Sequence, residues 1–304
     1  MTHVLSLIAA ETKALSANDL DQARSALHSA GADCGPPDWL SPEVACDIPF
    51  QGPTQTALTA VRQALAGEPV DVNVVPAISR RKKLLLADMD STLIEQECVN
   101  ELAAEIGLRD QVAAITERAM RGDIAFEPAL RERVALFKGL PLDVVSRVLA
   151  TRITLSPGAA VLVATMRASG AHTMIVSGGF TLFTGDIAER LGFDEHQANR
   201  LLHDGGAFTG MLAEPVLGGA AKEETLDALT RRLGLERAET LAIGDGANDV
   251  GMILRAGLGV AYRAKPALRT VADATIDHAD LTGALFLQGY RRDEFATAAK
   301  TARA

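Results

Sequence analysis

The sequence predicts an α/β protein: a doubly wound parallel sheet with a helical insertion, preceded by a small α+β unit. Three observations carry this. Short apolar runs, such as Leu84, Leu85, Leu86 and Ala87, end in polar clusters, as strands buried on both faces do. Over residues 157–276 such runs alternate with stretches of helical periodicity, which implies right-handed βαβ units. Residues 95–152 break the alternation with an almost continuous helical pattern and read as an insertion covering the sheet's edge.

Residues 1–76 form a unit of their own. Residues 4–9 make a strand, and Asn18 or Asp19 caps a helix that runs to Ala30 and stops at Gly31. A loop rich in Gly and Pro, GADCGPPDWLSP, leads to a strand at 44–50. A second helix spans 51–66, closed by Gly67, and a last strand covers 70–75. This order predicts a small sandwich of helices on one sheet. Residues 76–83, with Arg80, Arg81, Lys82 and Lys83 in succession, read as a basic linker into a second unit over 83–290.

Within the insertion, Val99, Leu102, Ala103 and Ile106 follow helical spacing, and Gly107 ends the run. The pattern continues through 112–120, 126–137 and 142–149, punctuated by Gly122, Gly139 and Pro141. Alternation then resumes. A helix at 157–169 precedes a strand at 172–176 that ends in Ser177-Gly178-Gly179, and a helix at 182–191 follows. HDGGAFTG within 199–212 marks a hairpin turn. A helix over 222–233 leads to a strand at 240–243, ending at Gly244-Asp245. Strands at 257–261 and 274–276 flank a helix near 266–271.

At 304 residues, 48% of them hydrophobic, the chain can bury a sizeable core. Its formal net charge of −9 argues against nucleic acid as partner, while leaving room for an anionic small molecule beside a local cation or metal. The three cysteines, Cys34, Cys46 and Cys98, are too sparse for a disulfide framework or a zinc site. No apolar run approaches the ~20 residues needed to span a bilayer. The opening MTHVLSLIAA lacks the basic start of a signal peptide, so a cytoplasmic location is expected.

Polar clusters fall at four strand ends or helix starts: Asp88 with Asp90, Ser177 with Gly178, Lys222, and Asp245 with Asn248 and Asp249. Singly, each also reads as an ordinary turn, a solvated lysine or a helix cap. In open parallel sheets ligands sit beyond the carboxyl ends of the strands, so their coincidence there sets them apart.

The combination D-M-D-S-T (Asp88 to Thr92), V-S-G-G (Val176 to Gly179), Lys222 and G-D-G-A-N-D (Gly244 to Asp249) resembles the haloacid dehalogenase superfamily of phosphotransferases. Glu97, Met120, Phe126, the L-R-E-R-V run around Arg133 and A-N-R-L (Ala198 to Leu201) are similar to its phosphoserine phosphatases. The resemblance implies a Rossmann-like core with a helical cap, and hydrolysis of O-phosphoserine to serine and phosphate, the last step of serine biosynthesis. It implies that Asp88 is the nucleophile, forming an aspartyl-phosphate, and that Asp90 is the acid/base. Mg²⁺ would be held by Asp88, the backbone carbonyl of Asp90 and Asp245, with Asp249 close by.

Ser177 and the Gly178 amide would bind phosphoryl oxygens, Lys222 would supply charge to them, and Asn248 would hold Lys222 or the phosphate in register. Glu97 would meet the substrate ammonium and Arg133 its carboxylate, with Met120 and Phe126 closing the pocket. Cys98 reads as packing, since no histidine partner is suggested.

Two other readings stay open. The same site could pass the phosphoryl group to another hydroxyl, such as that of homoserine. Alternatively, residues 1–76, whose order resembles a degenerate ACT-type (ferredoxin-like) regulatory unit, could sense an amino acid with the phosphatase as output. Packing or homodimerisation is the simpler role for that unit.

Overall fold

The computed structural model describes residues 1–120 and 123–296. The N-terminal unit runs β1 (His3–Ala9), α1 (Ala17–Ser29), β2 (Asp33–Cys34), β3 (Asp38–Ser41), β4 (Ala45–Gln51), α2 (Thr54–Ala64) and β5 (Val70–Pro76). Its antiparallel sheet has the order β2-β4-β1-β5, with β3 also on β4. Three details differ from the sequence expectation. The Gly- and Pro-rich stretch is a strand broken by Pro36 and Pro37 rather than a loop, because both of its halves pair with β4. Ser16, not Asn18 or Asp19, caps α1, in a reciprocal box with Asp19. Gln51 ends β4, so α2 begins only after Pro53.

The larger unit continues with β6 (Leu84–Ala87) and the insertion α3 (Cys98–Glu105), α4 (Arg109–Met120), α5 (Phe126–Ala135) and α6 (Asp143–Thr151). Next come α7 (Ala159–Ala168), β7 (His172–Phe180), α8 (Thr181–Leu191), β8 (Glu195–Asn199), β9 (Leu201–Asp204), β10 (Ala207–Leu212) and α9 (Gly219–Arg232). The last elements are β11 (Thr240–Gly244), α10 (Val250–Arg255), β12 (Leu258–Tyr262), α11 (Pro266–Arg269), β13 (Ala274–Ile276) and α12 (Gly283–Leu287). The central sheet is parallel throughout, in the order β13-β12-β11-β6-β7-β8. From β6 the chain builds outward to β8 and then returns to β11 on the other side. The strand order therefore reverses between β6 and β11, where a ligand crevice opens.

Strand periodicity explains the core. Leu84 and Leu86 face one layer with Met174, Val176, Leu226, Met252 and Ile253. Leu85 and Ala87 face the other with Ile175, Ile243, Leu162, Met166 and Phe183. Side chains alternate across a strand, so four consecutive apolar residues serve both layers. β8 went unrecognised in the sequence because EHQAN carries few apolar residues. It is an edge strand, and only Ala198 and Asn199 in it are buried.

The insertion stands over the carboxyl ends of the strands rather than along an edge. Phe126 at the start of α5 lies against Gly178 at the end of β7 and Gly218 at the start of α9. Its two linkers to the core pair with each other, Glu95 N donating to Thr154 O and Ser156 N to Leu93 O. On its far side the β9–β10 hairpin grips it through Gly139 N to Phe208 O and Phe208 N to Leu140 O.

Residues 76–83 are not a free linker. Arg80 donates to Asp47 at 2.6 Å and to the carbonyls of Phe286 and Leu287, and Arg81 pairs with Glu294. The Lys82 ammonium donates to the carbonyls of Ser79 and Ala238, and Lys83 pairs with Glu239. Four successive cations have four separate sets of partners, which a run of charge in the sequence cannot reveal.

Beside this joint, β5 lies along β13. Asn73 exchanges two hydrogen bonds with the Thr275 backbone, and Asp71 accepts from the amides of Asp277, His278 and Ala279. Val4, Ile8, Leu40, Ala45 and Val75 join the core that contains Phe286 and Tyr290. No helix among the described residues is long and apolar enough to cross a membrane.

Asp47 is 4% exposed, and its burial, opposed by Arg80, raises its carboxyl above the ordinary range. Arg80→Met is expected to lower unfolding free energy by about 3 kcal/mol, the cost of leaving one member of a buried pair alone. Urea titration measures this, and adding Asp47→Asn to Arg80→Met should recover part of the loss.

Candidate active site

The acids, Ser177, Lys222 and Phe126 are placed by the ends of buried strands or the starts of helices, whereas Arg133 lies in the last turn of α5. Asp88 follows β6, and its amide donates to Ile243 O of neighbouring β11. The chain is extended at Asp88 (φ −69°, ψ 159°) and again at Asp90 (φ −64°, ψ 134°) within one tight turn that ends in Ser91 (φ +56°, ψ 7°), and Asp90 Oδ2 comes beside Gly179 at the end of β7. Asp245 and Asp249 belong to the turn after β11. Ser177 and Gly178 lie where the β7–β8 register shifts, between Val176 and Phe180. Such a bulge re-aims side chains beside a site.

Lys222, on the first turn of α9, is 1% exposed, and its ammonium meets Asp88 at 2.8 Å and Asp249 at 2.6 Å. Burial alone would lower its pKa, yet the two carboxylates hold it above the ordinary lysine range. The other Asp249 oxygen accepts from the amides of Asp245 and Gly246. A Cβ on Gly244 would stand 2.4 Å from that oxygen, so only glycine fits there.

Asp88, Asp245 and Asp249 offer carboxylate oxygens within 4.8 Å of one another, and all three residues are buried. They meet one buried ammonium, Lys222, and one rim cation, Lys265, at 3.0 Å from Asp245. Burial, then Asp249, pushes the Asp88 carboxyl well above its ordinary range, with Lys222 opposing. Burial raises Asp245 as well, with Lys265 opposing. Three crowded carboxylates with insufficient positive charge fit a hard cation bound through oxygen. Within the triad, Asp249 already spends its oxygens on Lys222 and on two amides, which leaves Asp88 and Asp245 as the more open ligands.

Burial, and then Glu97, raises Asp90 to about 7. A carboxyl poised there can give up or take a proton near neutrality. Asp90 Oδ1 is buried without a hydrogen-bond partner among the described residues, as a group awaiting a ligand would be. The Cys98 thiol is fully buried and pushed well above its usual range by burial and Asp90, so it is no nucleophile.

Ser177 Oγ accepts from Gly179 N at 2.9 Å and keeps its own proton to donate. A Cβ on Gly178 would come 3.3 Å from the Phe126 ring and 3.9 Å from Asn248 Nδ2, which puts glycine, phenyl ring and amide at one place. Asn248 faces Gly178 and Gly246, whereas Lys222 is held by Asp88 and Asp249.

Glu97 caps α3 by its backbone position only, and its carboxylate accepts from Ser91 Oγ at 2.9 Å. Arg133, half-buried, has its pKa lowered by burial and supported by Glu97 and Asp90. Its guanidinium bonds are weak ones, to Ala129 O at 3.3 Å and Thr116 Oγ1 at 3.5 Å. Arg133 thus feels the same two acids that flank Ser91. The Met120 side chain lies outside the described residues.

Two residues escaped the sequence reading. Asn199 donates to the carbonyls of Gly178 and Leu217 and accepts from Leu217 N, binding the end of β7 to the loop before α9. Its signal was its place inside A-N-R-L. Lys265 stands before Pro266 at the start of α11, with no sequence neighbour to mark it.

A family model for haloacid dehalogenase-like hydrolases matches residues 85–254, from within β6 to the end of α10. A phosphoserine phosphatase of Archaeoglobus fulgidus is 44% identical over 205 residues, 67% of this chain and 59% of that one. A probable phosphoserine phosphatase of Schizosaccharomyces pombe is 41% identical over 244 residues, 79% of this chain and 82% of that protein. The unliganded structure of a probable phosphoserine phosphatase from Vibrio cholerae aligns with TM-score 0.78 at 30% identity, covering 96% of this chain and 88% of that one. The aligned region thus spans less than two thirds of the archaeal relative and most of the yeast one. On these matches, the chain belongs to the haloacid dehalogenase-like hydrolases and, within them, to the phosphoserine phosphatase family.

Proposed function

We propose that the chain hydrolyses O-phosphoserine to serine and phosphate through an aspartyl-phosphate on Asp88. The observation that supports this most is the pairing of Asp88 with the buried Lys222 ammonium at 2.8 Å, beneath Phe126 and beside the proton-carrying Asp90. Phosphate monoesters hydrolyse extremely slowly unaided, and covalent transfer divides the barrier into two lower ones. Asp88 attacks phosphorus while Lys222 offsets the charge gathering on the phosphoryl oxygens. Ser177 and the Gly178 amide hold those oxygens in line with Asp88. Asp90 gives its proton to the departing serine oxygen and then takes one from the water that cleaves the acyl-phosphate.

Asp88, Asp245 and the Asp90 carbonyl would hold Mg²⁺, with Asp249 as their anchor. When bound, that ion lowers the repulsion between phosphate and carboxylates and keeps Asp88 ionised. Glu97 receives the ammonium of phosphoserine, and Arg133 takes its carboxylate through two parallel hydrogen bonds. Phe126 and Met120 cover the substrate and exclude water.

Asp88→Asn should fold, bind phosphoserine and lose turnover; phosphate release measured beside calorimetric binding decides this, and substantial turnover would remove Asp88 as nucleophile. Asp90→Asn should cost about 10²–10⁴ in kcat. In the parent enzyme, transfer to Asp88 should slow as pH rises through about 7, the value to which Asp90 is raised, because its proton is then lost. The variant should lack that limb in single-turnover assays. Arg133→Ala should raise KM for phosphoserine by about tenfold to a hundredfold, the worth of charged hydrogen bonds. An equal effect on an aryl phosphate would show that Arg133 does not read the carboxylate.

Mg²⁺ should raise the unfolding midpoint, by about 2.7 kcal/mol of stability at a hundred times its Kd. Raised carboxyl pKa values stabilise the metal-free fold at low pH, and that contribution disappears as pH climbs through the folded-state values. The Mg²⁺-dependent rise should therefore be larger at pH 8 than at pH 5.5, and Asp245→Ala should abolish it. Scanning calorimetry at both pH values is the check.

A further inference from the structure

We infer that Ser91 sets substrate selectivity as a positioning residue: its hydroxyl holds Glu97 on the core side of the cap's hinge, so the ammonium site is built before the cap closes. This rests on the phosphoserine reading above. Ser91 adopts the left-handed conformation, φ +56°, which glycine would take more easily. A side chain kept at such a position has a use, and this one donates to Glu97 Oε1 at 2.9 Å. The Ser91 amide also donates to Gln96 O, so two bonds fold the first cap linker back onto the loop that carries Asp88 and Asp90.

The second linker locks the arrangement. Thr154 N donates to Gln96 Oε1, Glu95 N to Thr154 O and Ser156 N to Leu93 O, with Ile94 and Leu155 forming a bridge between the linkers. Glu97 therefore belongs mechanically to the core, although it stands at the start of the first cap helix. Arg133 belongs to the cap: its hydrogen bonds run to Thr116 on α4 and to Ala129 on its own α5. The two ends of an amino-acid head group are then read on opposite sides of one hinge. The ammonium is met in the open state, and the carboxylate draws the cap shut.

The probes are O-phosphoserine and 3-phosphooxypropanoate, which differs only in lacking the amine. Ser91→Gly permits the same backbone and removes the hydroxyl. It should lower the kcat/KM ratio of phosphoserine over the des-amino ester about tenfold, through KM more than kcat, as expected for one hydrogen bond to a charged group. Ser91→Asn, which tolerates the left-handed region and offers an N–H, should restore most of the ratio. In a Glu97→Gln background, Ser91→Gly should change the ratio little further.

Equal losses on both esters, or full additivity with Glu97→Gln, would overturn the positioning role. A Ser91→Gly chain that fails to fold, beside a folded Ser91→Asn chain that lacks selectivity, would also overturn it. A parent enzyme that does not prefer phosphoserine to the des-amino ester would instead overturn the substrate reading itself.

Discussion

One buried ammonium governs the geometry of the crevice. Lys222 reaches from α9 to Asp88 after β6 and Asp249 after β11, so a single charge fixes the relative position of three elements. Two carboxylates that close would repel without it, and it would be untenable in the interior without them. Asp249 extends the constraint by gathering the Asp245 and Gly246 amides, which sets the direction in which Asp245 points. The close approach at Gly244 is a result of the same packing. What the arrangement leaves over is negative charge on Asp88 and Asp245, the two groups left for a cation.

Electrostatics also separates the two acids at the end of β6. Asp88 and Asp90 share a strand end, yet Asp88 has Lys222 against it, whereas Asp90 feels the like charge of Glu97. Burial raises both carboxyls, but Lys222 opposes the rise at Asp88 whereas Glu97 adds to it at Asp90. A pair identical in residue type becomes unlike through neighbours more than 100 residues away in the chain, or on another helix.

That distance is why the sequence was legible only in part. The doubly wound sheet could be read because its inner strands are apolar on both faces, as LLLA before Asp88 is. The site acids could be read because they follow such strands directly. β8 was hidden by its polar outer position, and the broken strand at 33–41 by its prolines. The ion partners of Arg80 to Lys83 are set by tertiary contacts, which leave no local mark. Ser16 was missed as a cap because Asn18 and Asp19, both good capping residues, follow it closely. Glu97 was singled out by the resemblance alone, and its bond to Ser91 joins residues six apart in a turn that no local pattern marks; Lys265 carried no motif at all.

The bonds between β5 and β13 bear on how the molecule behaves in a crowd. β13 is the outermost strand of the central sheet, and a bare outer strand invites another chain to add itself. Here Asn73 supplies a side-chain amide in place of a neighbouring strand, and Asp71 absorbs the amides of Asp277, His278 and Ala279 just beyond it. The N-terminal unit thus seals an aggregation-prone border without extending the sheet. It acts as a fitted lid on stickiness, and a chain shortened to its catalytic part would lose that protection along with the unit.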